Sequence, residues 1–255
     1  MGDDSEYTIE ATGTSIAVLE TLISASDPVG VTELAEELGI TKSVAHNHVS
    51  TLRAEGYVAK RGSEYEPSAR ILSLGERMRC SLPVYRTAKG AVDNLAAATG
   101  ETTILAIRQA SHAVPIYITD GNADWSRPFG IGERLPLHAT ATGKCLAASL
   151  PDERLDDLLG DATLEPFTDA AITDPSAFRT ELQRVRDDGF AFCRGEHTED
   201  VVGVAAPIPE TDVSRTAALG VCGPARSLSG RYLNEDITGQ VLSTTKTVQV
   251  DLADT

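Results

Sequence analysis

The stretch from Val31 to Val58 constrains the fold of this chain more than any other part of the sequence. It reads VTELAEELGITKSVAHNHVSTLRAEGYV, in which two segments with helical spacing end at Gly39 and Gly56. The apolar residues at that spacing are Leu34, Ala35, Leu38, Ala45, Val49 and Leu52. Two helices joined by a tight glycine turn, the second polar on its free face, form a helix-turn-helix. Because the second helix of this motif lies in the DNA major groove, the stretch predicts DNA binding rather than catalysis.

The flanking segments complete a small domain. Residues 15–25 place apolar side chains at helical spacing and predict a first helix. Residues 57–67 read as two short strands around a Gly-Ser turn, which is the pattern of a hairpin wing. Thr32 and Thr41 stand where the N-caps of the next two helices are expected. The sequence therefore predicts a winged helix-turn-helix domain over residues 1–67.

The free face of the second helix supplies the candidate DNA contacts. Asparagine can bond adenine through two atoms, and serine and histidine can reach base edges or phosphates. Lysine and arginine at the helix ends and on the wing suit phosphates. The predicted DNA-binding residues are Thr32, Lys42, Ser43, His46, Asn47, Ser50, Arg53, Lys60 and Arg61. The alternative interpretations are structural: His46 or His48 could pack at the edge of the core, and Lys60 and Arg61 could be solvated wing charges.

The charge of the chain is unusual for a DNA-binding protein, which normally carries a basic patch. The formal net charge is −16, and residues 1–67 hold four Lys or Arg against twelve Asp or Glu. We interpret this acidity as adaptation to a salt-rich cytoplasm, where high ionic strength screens self-repulsion. The alternative is an acidic protein that does not bind DNA. It is weakened because the few basic residues fall at Lys42, Arg53 and the wing.

The second half of the chain has a different pattern. Residues 68–98 hold two helical segments separated by Pro83, which we interpret as linker and dimerisation helices. From Glu101 onward, strands and helices alternate without the regular order of βαβ units. Residues 99–255 are therefore expected to form a mixed α/β ligand-binding domain, and the fold class is α+β.

Targeting and metal signals are weak. No apolar run approaches the length of a membrane-spanning helix, and the acidic N-terminus does not resemble a signal peptide. We expect a cytoplasmic protein with no membrane partner, whose first 13 residues form a loosely held arm. The four cysteines lack CxxC spacing, which argues against a structural zinc site or a disulfide scaffold. No cofactor and no metal are expected.

The segment HATATGK, residues 138–144, is the first candidate ligand site. It precedes a helix, and the backbone N–H groups at a helix N-terminus can bind an anion such as a carboxylate effector. A phosphate loop of the GxxxxGK[ST] type is excluded, because His138 replaces its first glycine and Cys145 its hydroxyl residue. A packed turn capped by Thr140 and Thr142 is an equally open interpretation.

Five segments in order resemble the IclR family of transcriptional regulators, over roughly residues 15–248. They are LAEELGITKSVAHNHVSTLRAEGYV, GIGERLPLHATATGKCLAASLP, FTDAAITDPSAFRTELQRVRDDGFAF, GEHTEDVVGVAAPI and ALGVCGPARSL. The resemblance implies a winged-helix domain, a linker helix that dimerises and a GAF-like effector-binding domain. It also implies a homodimer or dimer of dimers on a palindromic operator in double-stranded DNA, controlled by a small organic acid or an aromatic catabolite.

The resemblance also locates an effector pocket. The residues it implies are Gly130, His138, Ala139, Thr140, Ala141, Cys193, Glu196, Gly203, Gly220 and Cys222. This chain departs from the family pattern at the pocket, since Cys193-Arg194 replaces an acidic pair and Gly220 and Cys222 replace serines. On the DNA-binding helix, Asn47 replaces a common arginine. The polar floor of the effector pocket is thus substantially replaced.

Three cysteines leave an alternative function open. By position in the family pattern, Cys145, Cys193 and Cys222 line the effector cavity, where thiols could form a redox or soft-metal sensor. They could equally be small buried hydrophobes. Cys–His catalysis through Cys193 and His197 is not expected, because no oxyanion-binding or orienting partner is evident.

Three arginines and a tryptophan near the predicted pocket have open roles. Arg127, Arg134 and Arg194 could balance an acidic ligand, or could pair with the abundant Asp and Glu. Trp125, beside Arg127 in a turn-rich loop, could act as a lid.

Overall fold

The chain forms two compact units, Met1–Ser81 and Leu82–Thr255, in a computed structural model that describes residues 8–121, 125–160, 164–209 and 216–254. The predicted domain limits at residues 67 and 98 stay predictions. Residues 1–7 of the predicted arm lie outside the described residues. Residues 10–13, the last four of the predicted arm, are helical, so the prediction of a loosely held arm is wrong for them. The acidic Glu10 stabilises this helix start because it lies at the positive end of the helix dipole.

The N-terminal unit is a winged helix-turn-helix, as the sequence predicts. Its elements are α1 (Glu10–Ser24), β1 (Val29–Gly30), α2 (Val31–Glu37), α3 (Lys42–Ala54), β2 (Val58–Arg61), β3 (Glu64–Pro67) and α4 (Arg70–Ser81). The three strands pair antiparallel in the order β1-β3-β2. The buried core joins all of these elements except α4 through residues such as Val18, Leu34, Val49 and Tyr65.

Local signals determine where α2 and α3 begin and end. Gly39 has a φ of +65°, a conformation that favours glycine, and it closes α2. The hydroxyl of Thr41 then accepts a hydrogen bond from the backbone N–H of Val44 at 3.3 Å, which confirms the predicted cap of α3. The predicted cap at Thr32 is wrong. Strand β1 runs directly into α2, whose N-cap is Gly30.

The C-terminal unit combines one sheet with helices on both faces. Its elements are α5 (Pro83–Thr99), β4 (Thr102–Gln109), β5 (His112–Thr119), β6 (Leu135–Pro136), α6 (Ala141–Ala148), α7 (Asp152–Leu159), α8 (Pro175–Asp188), β7 (Ala191–Arg194), β8 (Val201–Ile208), β9 (Ala217–Pro224), a π-helical turn (Tyr232–Ile237) and α9 (Thr238–Ala253). The sheet is antiparallel, in the order β6-β5-β4-β9-β8-β7. The predicted mixed α/β unit is confirmed.

Alternation along the strands creates two separate cores. Leu105 faces the core that contains α5 and α9, whereas Ile104 and Ala106 face the core that contains α6, α7 and α8. Strands covered on both faces are apolar throughout, as in β9. In the register of the sheet, Gly203 pairs with Cys193 on one side and with Cys222 on the other.

Among the described residues, no helix has both the length and the apolar character needed to cross a membrane. The four cysteines are free thiols, of which Cys80 is exposed and the other three are buried.

Candidate functional sites

The exposed residues of α2, α3 and the wing form what we call the recognition surface. The predicted residues exposed on it are Thr32, Lys42, Ser43, His46, Asn47, Arg53, Lys60 and Arg61, while Ser50 is half-buried. A groove of about 790 Å³ between α2, α3 and the wing brings five of them together, namely Thr32, Lys42, Ser43, His46 and Lys60. Asn47, Ser50, Arg53 and Arg61 lie outside its lining.

The charges of the recognition surface are not equally available. Lys60 places its ammonium 5.6 Å from the ring centroid of Tyr65. The guanidinium of Arg61 lies 3.9 Å from the carboxylate of Glu66. Within the described parts of the chain, Lys42 and Arg53 have neither a hydrogen-bond nor an ion-pair partner. These two cations are therefore free for phosphates.

The two histidines of α3 have different environments. The Nδ1 atom of His48 lies 2.8 Å from the hydroxyl of Ser15 on α1, so His48 joins α3 to α1. His46 is exposed and lines the groove. Only His46 of the pair is therefore free to reach DNA.

The C-terminal unit contains what we call the inner cavity, on the α6 side of the sheet. Its free volume is about 50 Å³. Six predicted effector residues line it together: Thr140, Ala141, Cys193, Gly203, Gly220 and Cys222. The strands β7, β8 and β9 supply its floor, and the first turn of α6 supplies part of its wall. The floor is apolar, because its strand residues contribute glycines, aliphatic side chains and thiols.

Four further predicted residues lie outside this lining. The N–H of Gly130 donates to the carboxylate of Glu133 at 2.7 Å. The carbonyl of Ala139 accepts from the thiol of Cys193 at 3.2 Å. His138 and Glu196 are also engaged, with a backbone carbonyl and with a buried lysine respectively. Whether any of the ten residues touches a ligand stays a prediction.

The start of α6 is both a capped turn and a part of the cavity wall. The hydroxyl of Thr140 accepts from the N–H of Gly143 at 3.1 Å and donates to the carbonyl of Pro136 at 3.0 Å. The residues of the first turn, Ala141 and Thr142, line the inner cavity. N–H groups in a first helical turn lack intrahelical partners and favour anions. Both interpretations of HATATGK are therefore compatible with the geometry.

A buried lysine holds α6 against the rest of the unit. The side chain of Lys144 is 1% exposed, and its ammonium donates to the carbonyl of Phe192 at 3.0 Å. It also donates to Glu196 at 2.9 Å and to Glu181 at 3.2 Å. Burial raises the pKa of Glu196, and the nearby Lys144 charge opposes that rise. The sequence signal for this lysine is that it is the single charged residue in a helix of small and apolar residues, Ala141–Ala148.

The buried cysteines are poor candidates for redox or metal chemistry. Burial raises the pKa of Cys145 to about 12, and also raises the pKa of Cys193 and Cys222. Since the thiolate is the reactive and metal-binding form, these thiols are held in their inert state. The described residues include no group of three or more His, Cys, Asp or Glu placed to hold a metal ion. The alternative of a cysteine-based sensor therefore has no support.

Several residues that line the inner cavity were not among the predicted effector residues. Phe129, His197 and Thr198 line the inner cavity, together with Ile104 from β4. His197 is half-buried, and burial lowers its pKa, with Glu133 opposing this shift and His138 adding to it. The strand residues could have been found from period-two alternation, but Phe129 and Thr198 lie on loops without such a signal.

The three arginines near the predicted pocket have different partners. Arg127 pairs with Asp120 at 3.2 Å, and Arg194 donates to Asn234 at 2.9 Å. Arg134 is exposed and has no hydrogen-bond or ion-pair partner among the residues described. The half-buried Trp125 packs against the core on the α6 side of the sheet. A lid role for Trp125 stays a prediction.

A winged helix-turn-helix unit in the same chain as a unit with an internal cavity defines the class of DNA-binding transcriptional regulators with a ligand-binding domain. Two family models match this chain: "IclR helix-turn-helix domain" over residues 15–62 and "Bacterial transcriptional regulator IclR C-terminal" over residues 78–250. The chain belongs to the IclR family. The matched family members are transcriptional regulators, not enzymes.

Relatives cover nearly the whole chain. The HTH-type transcriptional regulator XynR of Escherichia coli is 28% identical over 84% of this chain and 85% of its own length. The probable HTH-type transcriptional regulator ArcR of Halobacterium salinarum is 26% identical over 86% and 85%. A solved IclR homologue from Microbacterium hydrocarbonoxydans, complexed with 4-hydroxybenzoate, has a TM-score of 0.81 at 20% identity and covers 96% of this chain and 100% of its own.

Proposed function

We propose that this protein is a transcriptional regulator whose binding to operator DNA is controlled by a small molecule in the inner cavity. The main support is that one chain has both an exposed polar face on α3 and a cavity bordered by the N-terminus of α6. The recognition helix α3 reads bases through Asn47 and its neighbours, and the wing contacts flanking phosphates.

The cavity favours a small amphipathic acid as effector. The first turn of α6 offers N–H groups for a carboxylate, and the floor around Gly203 and Gly220 offers apolar surface. The solved homologue that holds 4-hydroxybenzoate is consistent with this class of ligand. We also propose that the predicted effector residues contact this ligand and that the C-terminal unit is GAF-like.

The volume of the cavity suggests how a ligand controls the protein. About 50 Å³ is less than the ~150 Å³ that admits benzene to an engineered apolar cavity. An aromatic acid would bind an opened state better than the state described above. Such differential affinity for two states is what ligand control requires.

We further propose a homodimer or a dimer of dimers on a palindromic operator. Apolar side chains exposed on the N-terminal unit support an association, since Ile16 and Ile23 on α1 are 53% and 50% exposed and Leu72 on α4 is 75% exposed. A two-fold protein matches a palindromic site.

A salt-rich cytoplasm is the proposed setting. The net charge of −16 and the acidity around the recognition surface support it, as does the relative from Halobacterium salinarum. At high ionic strength, charges more than a few ångströms apart are screened, so an acidic protein can approach DNA.

Selection of bound sequences from random double-stranded DNA, with the full chain in molar KCl, tests the proposal. We expect a two-fold symmetric site, and we expect one member of a panel of small carboxylates to change its affinity at least fivefold. If no sequence is enriched, the proposal that this protein is a transcriptional regulator is contradicted. An operator whose affinity no carboxylate changes would contradict the effector class alone.

A further inference from the structure

A second cavity lies on the outer side of the C-terminal unit. This outer cavity, of about 330 Å³, is bounded by strand β6, the end of α7 and helix α8. Apart from His197, its described lining residues are ones that the inner cavity does not use, among them His112, Arg134, His138, Leu159, Phe167 and Phe178. It belongs neither to the recognition surface nor to the inner cavity, and the proposed function gives it no role.

The described lining of the outer cavity includes a group of basic residues. Arg134 is exposed there, without a hydrogen-bond or ion-pair partner in the described ranges of the chain. His112 bonds Ser111 through Nδ1 at 3.1 Å, and His138 lies 2.9 Å from the carbonyl of Glu165 through Nε2. A guanidinium fork matches the two oxygens of a carboxylate. Glu165 is the acidic residue of the described lining, and its charge disfavours a ligand with more than one negative charge.

The other lining residues of the outer cavity include an apolar and aromatic group. Phe167 is 36% exposed, and Phe178 is buried beneath the cavity. Leu158, Leu159 and Leu164 belong to the same apolar group. A ligand held by its charge at Arg134 would therefore place an apolar body against these residues.

We propose that the outer cavity is a second ligand site, which takes an aryl or branched-alkyl monocarboxylate. The carboxylate pairs with Arg134, and the apolar body packs on Phe167 and Leu159. A neutral compound of the same shape leaves the guanidinium without its partner and binds more weakly. A dicarboxylate meets Glu165 and is excluded.

The two cavities share a wall. Phe167 lies between two histidines, with ring centroids 5.7 Å from His138 and 5.1 Å from His197. His197 lines both cavities. The segment that brings His138 to the outer cavity continues into Thr140 and Ala141 of the inner one. An occupied outer cavity therefore braces one wall of the inner cavity.

Binding of 4-fluorobenzoate to the full chain, followed by fluorine NMR without DNA, tests the site. Arg134→Gln removes the proposed partner, and Arg226→Gln is the matched control at an exposed arginine outside both cavities. We expect saturable binding that Arg134→Gln weakens at least tenfold and Arg226→Gln leaves unchanged. The neutral amide 4-fluorobenzamide should bind more weakly than the acid.

A variant that fills the other cavity separates the two sites. Thr198→Phe places bulk in the inner cavity at a residue that does not line the outer one, although it removes a hydroxyl that lies 3.2 Å from Nδ1 of His197 in the shared wall. Binding retained in Thr198→Phe and weakened in Arg134→Gln supports the outer site. Binding lost in Thr198→Phe and unchanged in Arg134→Gln, or no saturable binding at all, overturns it. Since DNA is absent, either result is independent of operator control.

Discussion

The two units of this protein place their important polar groups in opposite environments. In the N-terminal unit, Lys42, Asn47 and Arg53 are exposed, with their side chains turned to solvent. In the C-terminal unit, Lys144 and Glu196 form an ion pair whose side chains are 1% and 12% exposed. A change on the first surface should therefore alter binding at little cost to stability. A change to the buried pair should alter the stability of the fold before it alters the binding of a ligand.

The largest expected effect tests the buried side of this contrast. Lys144→Ala leaves Glu196 buried without its cation and should lower the free energy of unfolding by about 3–5 kcal/mol. Since burial already raises the pKa of Glu196, the loss should shrink in acid, where this carboxyl is protonated. Urea unfolding at pH 8 and pH 5 measures both effects.

The double variant Lys144→Met, Glu196→Gln is the matched control, because it removes both charges at similar volume. It should recover most of the lost stability. A Lys144→Ala protein within 1 kcal/mol of the natural protein would show that the pair does not matter to the fold.

The next effect tests the exposed side. Asn47→Ala should remove about 1–3 kcal/mol of discrimination at one base pair, because its amide can bond adenine through two atoms. Lys42→Ala should weaken binding uniformly across sequences. Unfolding free energies of both variants should stay within about 0.5 kcal/mol of the natural protein. Equal losses for Asn47→Ala on specific and random DNA would refute the base contact.

A smaller effect is expected at an exposed residue of the N-terminal unit that contributes to stability. Thr41 is exposed beside the recognition surface, but its hydroxyl caps α3. Thr41→Ala should therefore destabilise the N-terminal unit by about 1 kcal/mol. Thr32→Ala, at an exposed position inside α2 without a cap bond, should change stability by less than about 0.5 kcal/mol. Equal thermal midpoints for the two variants would contradict the role of the cap.

The smallest effect is a pH dependence in the second unit. Glu101 is 7% exposed, its Oε2 has no hydrogen-bond partner among the residues that the structure describes, and burial raises its pKa above 4.5. The folded state thus binds this proton more tightly than the unfolded state. Its contribution to stability is full below pH 4.5 and is lost as pH rises through the raised pKa.

Glu101→Gln abolishes that pH dependence. The stability of the variant relative to the natural protein should increase with pH across this window and stay level above it. Chemical unfolding of both proteins from pH 4 to pH 8 measures the difference. A difference that does not change with pH would rule out titration of Glu101.

The sequence predicts the N-terminal unit because its signals are local. Helical spacing, Gly39 and Thr41 determine α2 and α3 without help from distant residues. Thr32 was assigned the wrong role because strand β1, which pairs Val29 with Tyr65, runs directly into α2, whose N-cap is Gly30, two residues earlier. That pairing joins residues far apart in the sequence, which spacing does not reveal.

The C-terminal site is less predictable because distant segments build it. The convergence of Cys193, Gly203 and Cys222 followed from the family resemblance, and the register of β7, β8 and β9 explains it. The partners of Lys144 lie 37 and 52 residues further along the chain. No local pattern identifies such an ion pair or the loop residues that close the cavity.

The floor of the inner cavity limits how this protein could evolve. A Cβ atom at Gly203 would lie 2.7 Å from the carbonyl of Val221, and one at Gly220 would lie 2.9 Å from the carbonyl of Val204. Both obstacles are backbone atoms of neighbouring strands, so neither glycine can gain a side chain without moving the sheet. A new effector preference is therefore reached with less rearrangement through residues at the rim, such as Phe129 and Thr198, than through a side chain added at Gly203 or Gly220.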